Sequence, residues 1–140
     1  MKDSIKIGIV AGEHSGDILG ENLLKALKKI KNVEIFGVGG PKMEAQGLKS
    51  AFDFNNLNIM GLVDPILNYS KIMSYKNDLC DLFINEMIDV FIGIDSPDFN
   101  MQIQKKLKKI SKIKTVQLVT PSIWACLLYT SDAADDTSGG

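Results

Sequence analysis

The sequence predicts an α/β domain, a Rossmann-like parallel sheet with helices on both faces. Three observations carry this expectation. Short, β-branched apolar runs recur along the chain and alternate with stretches of helical period. That order favours a parallel sheet with right-handed crossovers. The runs leave into turns rich in Gly, Asp, Ser and Pro, the usual exits of buried strands. The length of 140 residues suits one domain able to bury its own core.

The first run, Ile5 to Ala11, reads as a buried strand, and Gly12 to Gly16 as its exit turn. Asp17 to Lys31 is expected to be a helix with Ile18, Leu23, Leu24, Leu27 and Ile30 on its apolar face. Asp17 suits its N-cap or first turn, and Lys25, Lys28, Lys29 and Lys31 suit its C-terminal end. Val33 to Val38 is the second strand, followed by Gly39-Gly40-Pro41 and a short helix to Gln46, stopped by Gly47. Lys49 to Phe54 reads as a short third strand. Ile59 to about Met87 has a helical pattern, broken or kinked at Pro65. Val90 to Ile94 is the next strand. Phe99 to Lys112 follows as a helix, with Phe99, Ile103, Leu107 and Ile110 inward and the lysines outward. Lys114 to Val119 is the fifth strand.

Composition removes several function classes. The chain is 45% hydrophobic and 24% charged with a net charge of −1, ordinary for a globular domain and unlike a dedicated nucleic-acid binder. Every basic residue is a lysine, so no bidentate Arg fork is offered to a phosphate. The richness in Lys, Ile and Asn has the character of an AT-rich coding bias. Cys80 and Cys126 form neither a metal spacing nor a disulfide framework, and a reducing cytosolic setting is the default. With His14 the single histidine, no metal is expected, and no cofactor. The N-terminus is no signal peptide, and no apolar run reaches the ~18 residues that suggest a membrane span.

Residues 126–140 change character. They hold three aspartates and no Lys, Ile or Asn, although those residues dominate the preceding chain. The stretch resembles the translated end of a transposon adapter used in sequencing libraries. It is expected to be a foreign, loosely packed tail, to be excluded from fold reasoning.

In parallel α/β sheets ligands bind beyond the carboxyl ends of the strands. The loops to read are therefore 12–17, 39–41, 95–99 and 120–125. In the first, glycines at 12, 16 and 20 do not match a dinucleotide fingerprint, and there is no P-loop. Its two acids would repel a phosphate but accept hydrogen bonds from sugar hydroxyls. An ordinary turn capped by Asp17 is the alternative, and His14 reads as a surface residue. The second loop lets a backbone approach closely, which packing alone also explains.

The third loop is the sharpest feature. Asp95 ends a buried strand, placing a carboxylate in the crevice, the setting in which a carboxyl group serves as a base. A helix cap is the alternative for Asp95 and the preferred reading for Asp98. The segment from Ile59 to Met73 is too apolar for one helix stripe. It is either a kinked core helix or a greasy surface, through Met60, Leu62, Val63, Ile66 and Leu67, that takes up acyl chains or rests on a membrane. The lysines of 105–114 suit an anionic surface, and equally a solvated helix face.

Taken in order, Val10-Ala11-Gly12-Glu13-His14-Ser15-Gly16-Asp17, Gly37-Val38-Gly39-Gly40-Pro41-Lys42-Met43, Met60-Gly61-Leu62-Val63, Gly93-Ile94-Asp95-Ser96-Pro97-Asp98-Phe99-Asn100 and Pro121-Ser122-Ile123-Trp124-Ala125 resemble the lipid-A-disaccharide synthase family. The resemblance runs from about Lys6 to Ala125. It departs at position 14, where the family often has a smaller residue, and at Ala125, where the family continues into a second domain. It implies the amino-terminal, acceptor-binding half (1–125) of a two-domain, GT-B type glycosyltransferase at the cytoplasmic face of the inner membrane. Such an enzyme joins UDP-2,3-diacylglucosamine to 2,3-diacylglucosamine 1-phosphate and releases UDP.

On that resemblance Asp95 is the catalytic base, and Glu13, Ser15, Asp17 and Asn100 are substrate-binding. The chain alone is expected to be inactive. A homo-oligomer is compatible with this, and nucleic acid is not an expected partner. Two rivals remain: a UDP-sugar epimerase-like enzyme, separated by its product, and a non-enzymatic flavodoxin-like or receiver-like module. The two acids of the first loop oppose the flavodoxin reading, and failure to bind Mg²⁺ would oppose the receiver.

Overall fold

A computed structural model describes residues 4–57 and 69–119. Five parallel strands form one sheet: β1 (Ser4–Ala11), β2 (Asn32–Val38), β3 (Lys49–Ser50), β4 (Val90–Ile94) and β5 (Lys114–Leu118), in the order β3-β2-β1-β4-β5. The connecting helices are α1 (His14–Lys28), α2 (Pro41–Glu44), α3 (Tyr69–Asn85) and α4 (Pro97–Ile110). This is the expected Rossmann-like architecture. β1 is the central strand, and its Ile7, Ile9, Val10 and Ala11 are all fully buried between the two helical layers.

The strand period of two divides the core between the faces of the sheet. Ile7, Ile9, Ala11, Ile35, Ile92 and Ile94 pack with Leu24 of α1 and Met43 of α2. Val10, Val38 and Phe91 pack with Leu79, Cys80 and Phe83 of α3 and with Phe99, Ile103 and Leu107 of α4. Burying a side chain such as Leu24 or Phe83 contributes ~1.5–3 kcal/mol. β2 presses closely on β1 at Gly37. Its φ is +136°, and a Cβ there would lie 1.8 Å from the Ile9 carbonyl oxygen, so only glycine fits.

Several boundaries differ from expectation. α1 begins at His14, three residues before Asp17, with Glu13 as its N-cap and no side-chain cap hydrogen bond. Its buried line is Gly16, Asp17, Gly20 and Leu24, so Ile18 is 47% exposed, and Ile30, past the helix end, is 76% exposed. α2 spans Pro41–Glu44 rather than reaching Gln46. β3 is two residues long because the Ser50 hydroxyl turns the chain, accepting from the Gly39 N–H and donating to the Phe52 carbonyl. A helical turn at 54–57 follows. α4 starts at Pro97, and its last residue, Ile110, is 55% exposed rather than inward. The expected kink at Pro65, the apolar segment with Met60, Leu62, Val63, Ile66 and Leu67, the Pro121–Ala125 motif and the tail 126–140 lie outside the described residues.

Cys80 is fully buried, and burial pushes its thiol up from the usual range against the opposing pull of Lys106 and Lys76. A thiol that is neither ionised nor reachable is inert. The peptide carrying Cys80 should therefore remain unalkylated by iodoacetamide in the native chain and react fully in urea. Mass spectrometry of that peptide checks this, and fast labelling of the native chain would contradict it.

Candidate functional site

The chain leaves β1 towards β2 on one side, while β4 lies on the other side of β1. The carboxyl ends of β1 and β4 therefore form the topological switch point, where parallel α/β sheets bind ligands. The loop of Glu13 and the loop of Asp95 meet there. Ala11 is in register with Ile94, which aligns the two exits.

Contacts at the glycines show how closely these loops converge. A Cβ on Gly16 would lie 3.1 Å from Ile94 Cγ2 and 3.4 Å from Asp95 Oδ2. A Cβ on Gly12 would lie 3.1 Å from Ser96 Oγ and 3.1 Å from Leu57 Cβ. One on Gly40 would be 2.9 Å from Phe54 Cζ. The first turn of α1 is thus glycine-lined so that the Asp95 carboxylate can rest against it. The rings of His14 and Phe54 meet edge to face at 5.0 Å, tying the same turn to residues 54–57. His14 is a surface residue, in line with its sequence reading.

Asp95 is half-buried, and its backbone is unusual. Asp95 (φ 52°) and Ser96 (φ 40°) are consecutive left-handed residues, and neither is glycine. Such conformations cost ~1–3 kcal/mol each and persist where the surroundings over-determine them. The Asp95 N–H donates to the Leu118 carbonyl at 2.9 Å, and the Asp95 carbonyl accepts from Asn100 Nδ2 at 2.8 Å. Ser96 is the N-cap of α4 without a side-chain cap bond, and Asp98 is exposed in the first turn. Neither aspartate therefore occupies the N-cap position.

The remaining candidates divide. Glu13 and Ser15 are exposed at the mouth of the switch-point crevice. Asp17 is 2% exposed, and its carboxylate accepts backbone N–H groups of Gly40, Lys42 and Met43, each at 3.0 Å. It joins α1 to the start of α2. Asn100 is fully buried and directed at the Asp95 carbonyl. Its Oδ1 is the one buried side-chain polar atom without a partner among the described residues.

One residue escaped the sequence reading. Gln117, the penultimate residue of β5, donates from Nε2 to the Asp95 carbonyl at 3.0 Å. Its signal was a carboxamide inside an otherwise strand-forming run, which reads as ordinary alternation.

Beside the switch point lies a cavity of ≈ 410 Å³, bordered by Gly39, Ser50, Phe52 and Phe54 and by the exposed acids Glu44 and Asp53. Exposed carboxylates with apolar ring edges suit a hydroxyl-bearing ligand with an apolar face. No group of His, Cys, Asp and Glu among the described residues is arranged to hold a metal ion.

The sequence model of the family described as lipid-A-disaccharide synthetase matches residues 7–128. Among curated proteins, the chain is similar to the lipid-A-disaccharide synthase of Pseudoalteromonas translucida, 52% identical over 122 residues, 86% of this chain and 31% of that protein. It is similar to the namesake of Aliivibrio salmonicida, 47% identical over 140 residues, 97% of this chain and 36% of that protein. A third, from Pseudomonas fluorescens, is 49% identical over 123 residues, 87% of this chain and 32% of that protein. The chain spans about a third of the length of these curated relatives.

Proposed function

The chain belongs to the lipid-A-disaccharide synthase family, and from that premise we propose that it forms the acceptor-binding, amino-terminal domain (1–125) of a GT-B type glycosyltransferase of lipid A biosynthesis. The full-length protein carrying this sequence condenses UDP-2,3-diacylglucosamine with 2,3-diacylglucosamine 1-phosphate, giving the disaccharide 1-phosphate and UDP. The observation that carries this reading is the Asp95 carboxylate, held at the switch point against the glycine-lined first turn of α1.

In the proposed reaction Asp95 takes the proton from the acceptor's 6-hydroxyl. That oxygen attacks the anomeric carbon of the donor, the bond from this carbon to UDP breaks, and UDP leaves with the electron pair. Glu13 and Ser15, exposed at the crevice mouth, meet hydroxyls of the sugars. Asp17 and Asn100 act from behind, since both side chains are buried and bonded to backbone. The UDP-binding groups belong to the remainder of the full-length protein, and 126–140 is proposed to be a foreign tail.

No helix among the described residues is long and apolar enough to cross a membrane. We assign the protein a peripheral place on the inner membrane's cytoplasmic face. Met60, Leu62, Val63, Ile66 and Leu67 would take up acyl chains, and the outward Lys105, Lys108, Lys109 and Lys112 suit the anionic lipid surface.

The test is a product assay. Incubating the full-length protein with both diacylated sugars should give the disaccharide and UDP in equal amounts. The 140-residue chain alone should release no UDP above background. An epimerised UDP-sugar from the full-length protein, or UDP release by the chain alone, would refute the proposal.

A further inference from the structure

We infer that Gln117, braced by Gln104 and assisted by Asn100, is a positioning residue that holds Asp95 in its left-handed backbone form and so aims its carboxylate. The inference rests on the proposed role of Asp95 as the base. Two side-chain carboxamides converge on one carbonyl: Asn100 Nδ2 donates to the Asp95 oxygen at 2.8 Å and Gln117 Nε2 at 3.0 Å. The N–H of the same residue is held by Leu118 at 2.9 Å. The peptide groups on both sides of Asp95 are thereby fixed, which sets the direction of its Cα–Cβ bond. A left-handed pair of non-glycine residues needs such over-determination.

Gln117 is itself held in place. Its Oε1 accepts from Gln104 Nε2 of α4 at 3.2 Å, and its Nε2 also reaches the Leu118 carbonyl at 3.2 Å. The orientation of its amide is therefore determined, with nitrogen towards Asp95. Gly93 makes room for the arrangement. A Cβ on that strand residue would lie 2.5 Å from Gln117 Oε1 and 2.8 Å from Asn100 Cβ. Asn100 cannot turn its amide over, because that would set Oδ1 against the Asp95 oxygen. Its Oδ1 consequently stays buried without a partner among the described residues. A buried amide with half its hydrogen-bonding capacity unused calls for an explanation, and the bond to Asp95 supplies one.

The experiment uses the full-length protein. Gln117→Met keeps the length of the side chain and removes both polar atoms. Its kcat is expected to fall about ten- to hundredfold with KM for each substrate within about twofold, since misplacing a reacting group costs on that order. Gln104→Met, which reaches Asp95 only through Gln117, should lower kcat about threefold to tenfold. In an Asp95→Asn background, adding Gln117→Met should cost no more than about threefold further, because residues acting as a unit are non-additive. A merely structural Gln117 would instead multiply its loss onto that of Asp95→Asn.

Unchanged kcat in Gln117→Met, or losses that multiply in the double variant, would overturn the inference while leaving the base in place. Near wild-type turnover in Asp95→Asn would remove the base and this inference with it. If Gln117→Met fails to fold, Gln104→Met carries the same test alone and in the Asp95→Asn background.

Discussion

Replacing Asp95 by Asn in the full-length protein is expected to lower kcat by about 10²–10⁴-fold, the usual contribution of a positioned general base, with little change in KM. Asparagine has nearly the shape of aspartate and leaves the backbone groups of residue 95 as they are. The Leu118, Asn100 and Gln117 hydrogen bonds all go to that backbone. The turn should therefore survive, and thermal unfolding should move little. What is lost is the carboxylate beside the first turn of α1. A loss confined to kcat, with substrate binding intact, marks an interaction made in the transition state alone. Steady-state kinetics on both substrates, with a melting curve of the variant, check this. A variant that turns over at near the original rate, or one whose whole effect is a higher KM, would end the assignment of Asp95 as base.

The parts of this chain legible in the sequence are those set by short-range pattern. Buried parallel strands are short, continuous apolar runs, so β1 and β4 stand out, and Asp95 stands out as the residue that follows the end of one of them. What escaped depends on partners far along the chain. Asp17 has the chemistry of an N-cap and sits where α1 was expected to begin, yet its carboxylate serves α2, 23 to 26 residues on. That long-range role puts Asp17 inside α1 on its buried line, so Gly16 and Gly20 face the sheet and α2 while Ile18 lies outside. Gly20 reads as a weak helix residue. Its reason is the Met43 side chain, whose sulfur would be 2.2 Å from a Cβ there. Gln117 and Asn100 are 17 residues apart, and only the pairing of β4 with β5 brings both to one carbonyl.

Asp17→Ala should be the most destabilising of the substitutions considered, by ~3–5 kcal/mol, because it strips the acceptor from buried donors. α2 has four residues and cannot persist on its own propensity. The donors at its start are the N–H groups of Gly40, Lys42 and Met43, since Pro41 has none, and the Asp17 carboxylate accepts all three. Alanine leaves those groups facing a void, the space that Gly40 opens for the carboxylate, since a Cβ at Gly40 would be 2.5 Å from Asp17 Oδ2. Loss of α2 would also free Met43 from its fully buried place against Leu24 and Gly20. Asp17→Asn retains an oxygen for the two N–H groups that share Oδ1 and turns an NH₂ towards the third, so it should cost less, ~1–2 kcal/mol. Urea unfolding of the 140-residue chain, followed by circular dichroism, measures both. The expected order is wild type, Asp17→Asn, Asp17→Ala. An alanine variant within ~1 kcal/mol of wild type would show that the carboxylate does not hold the helices together.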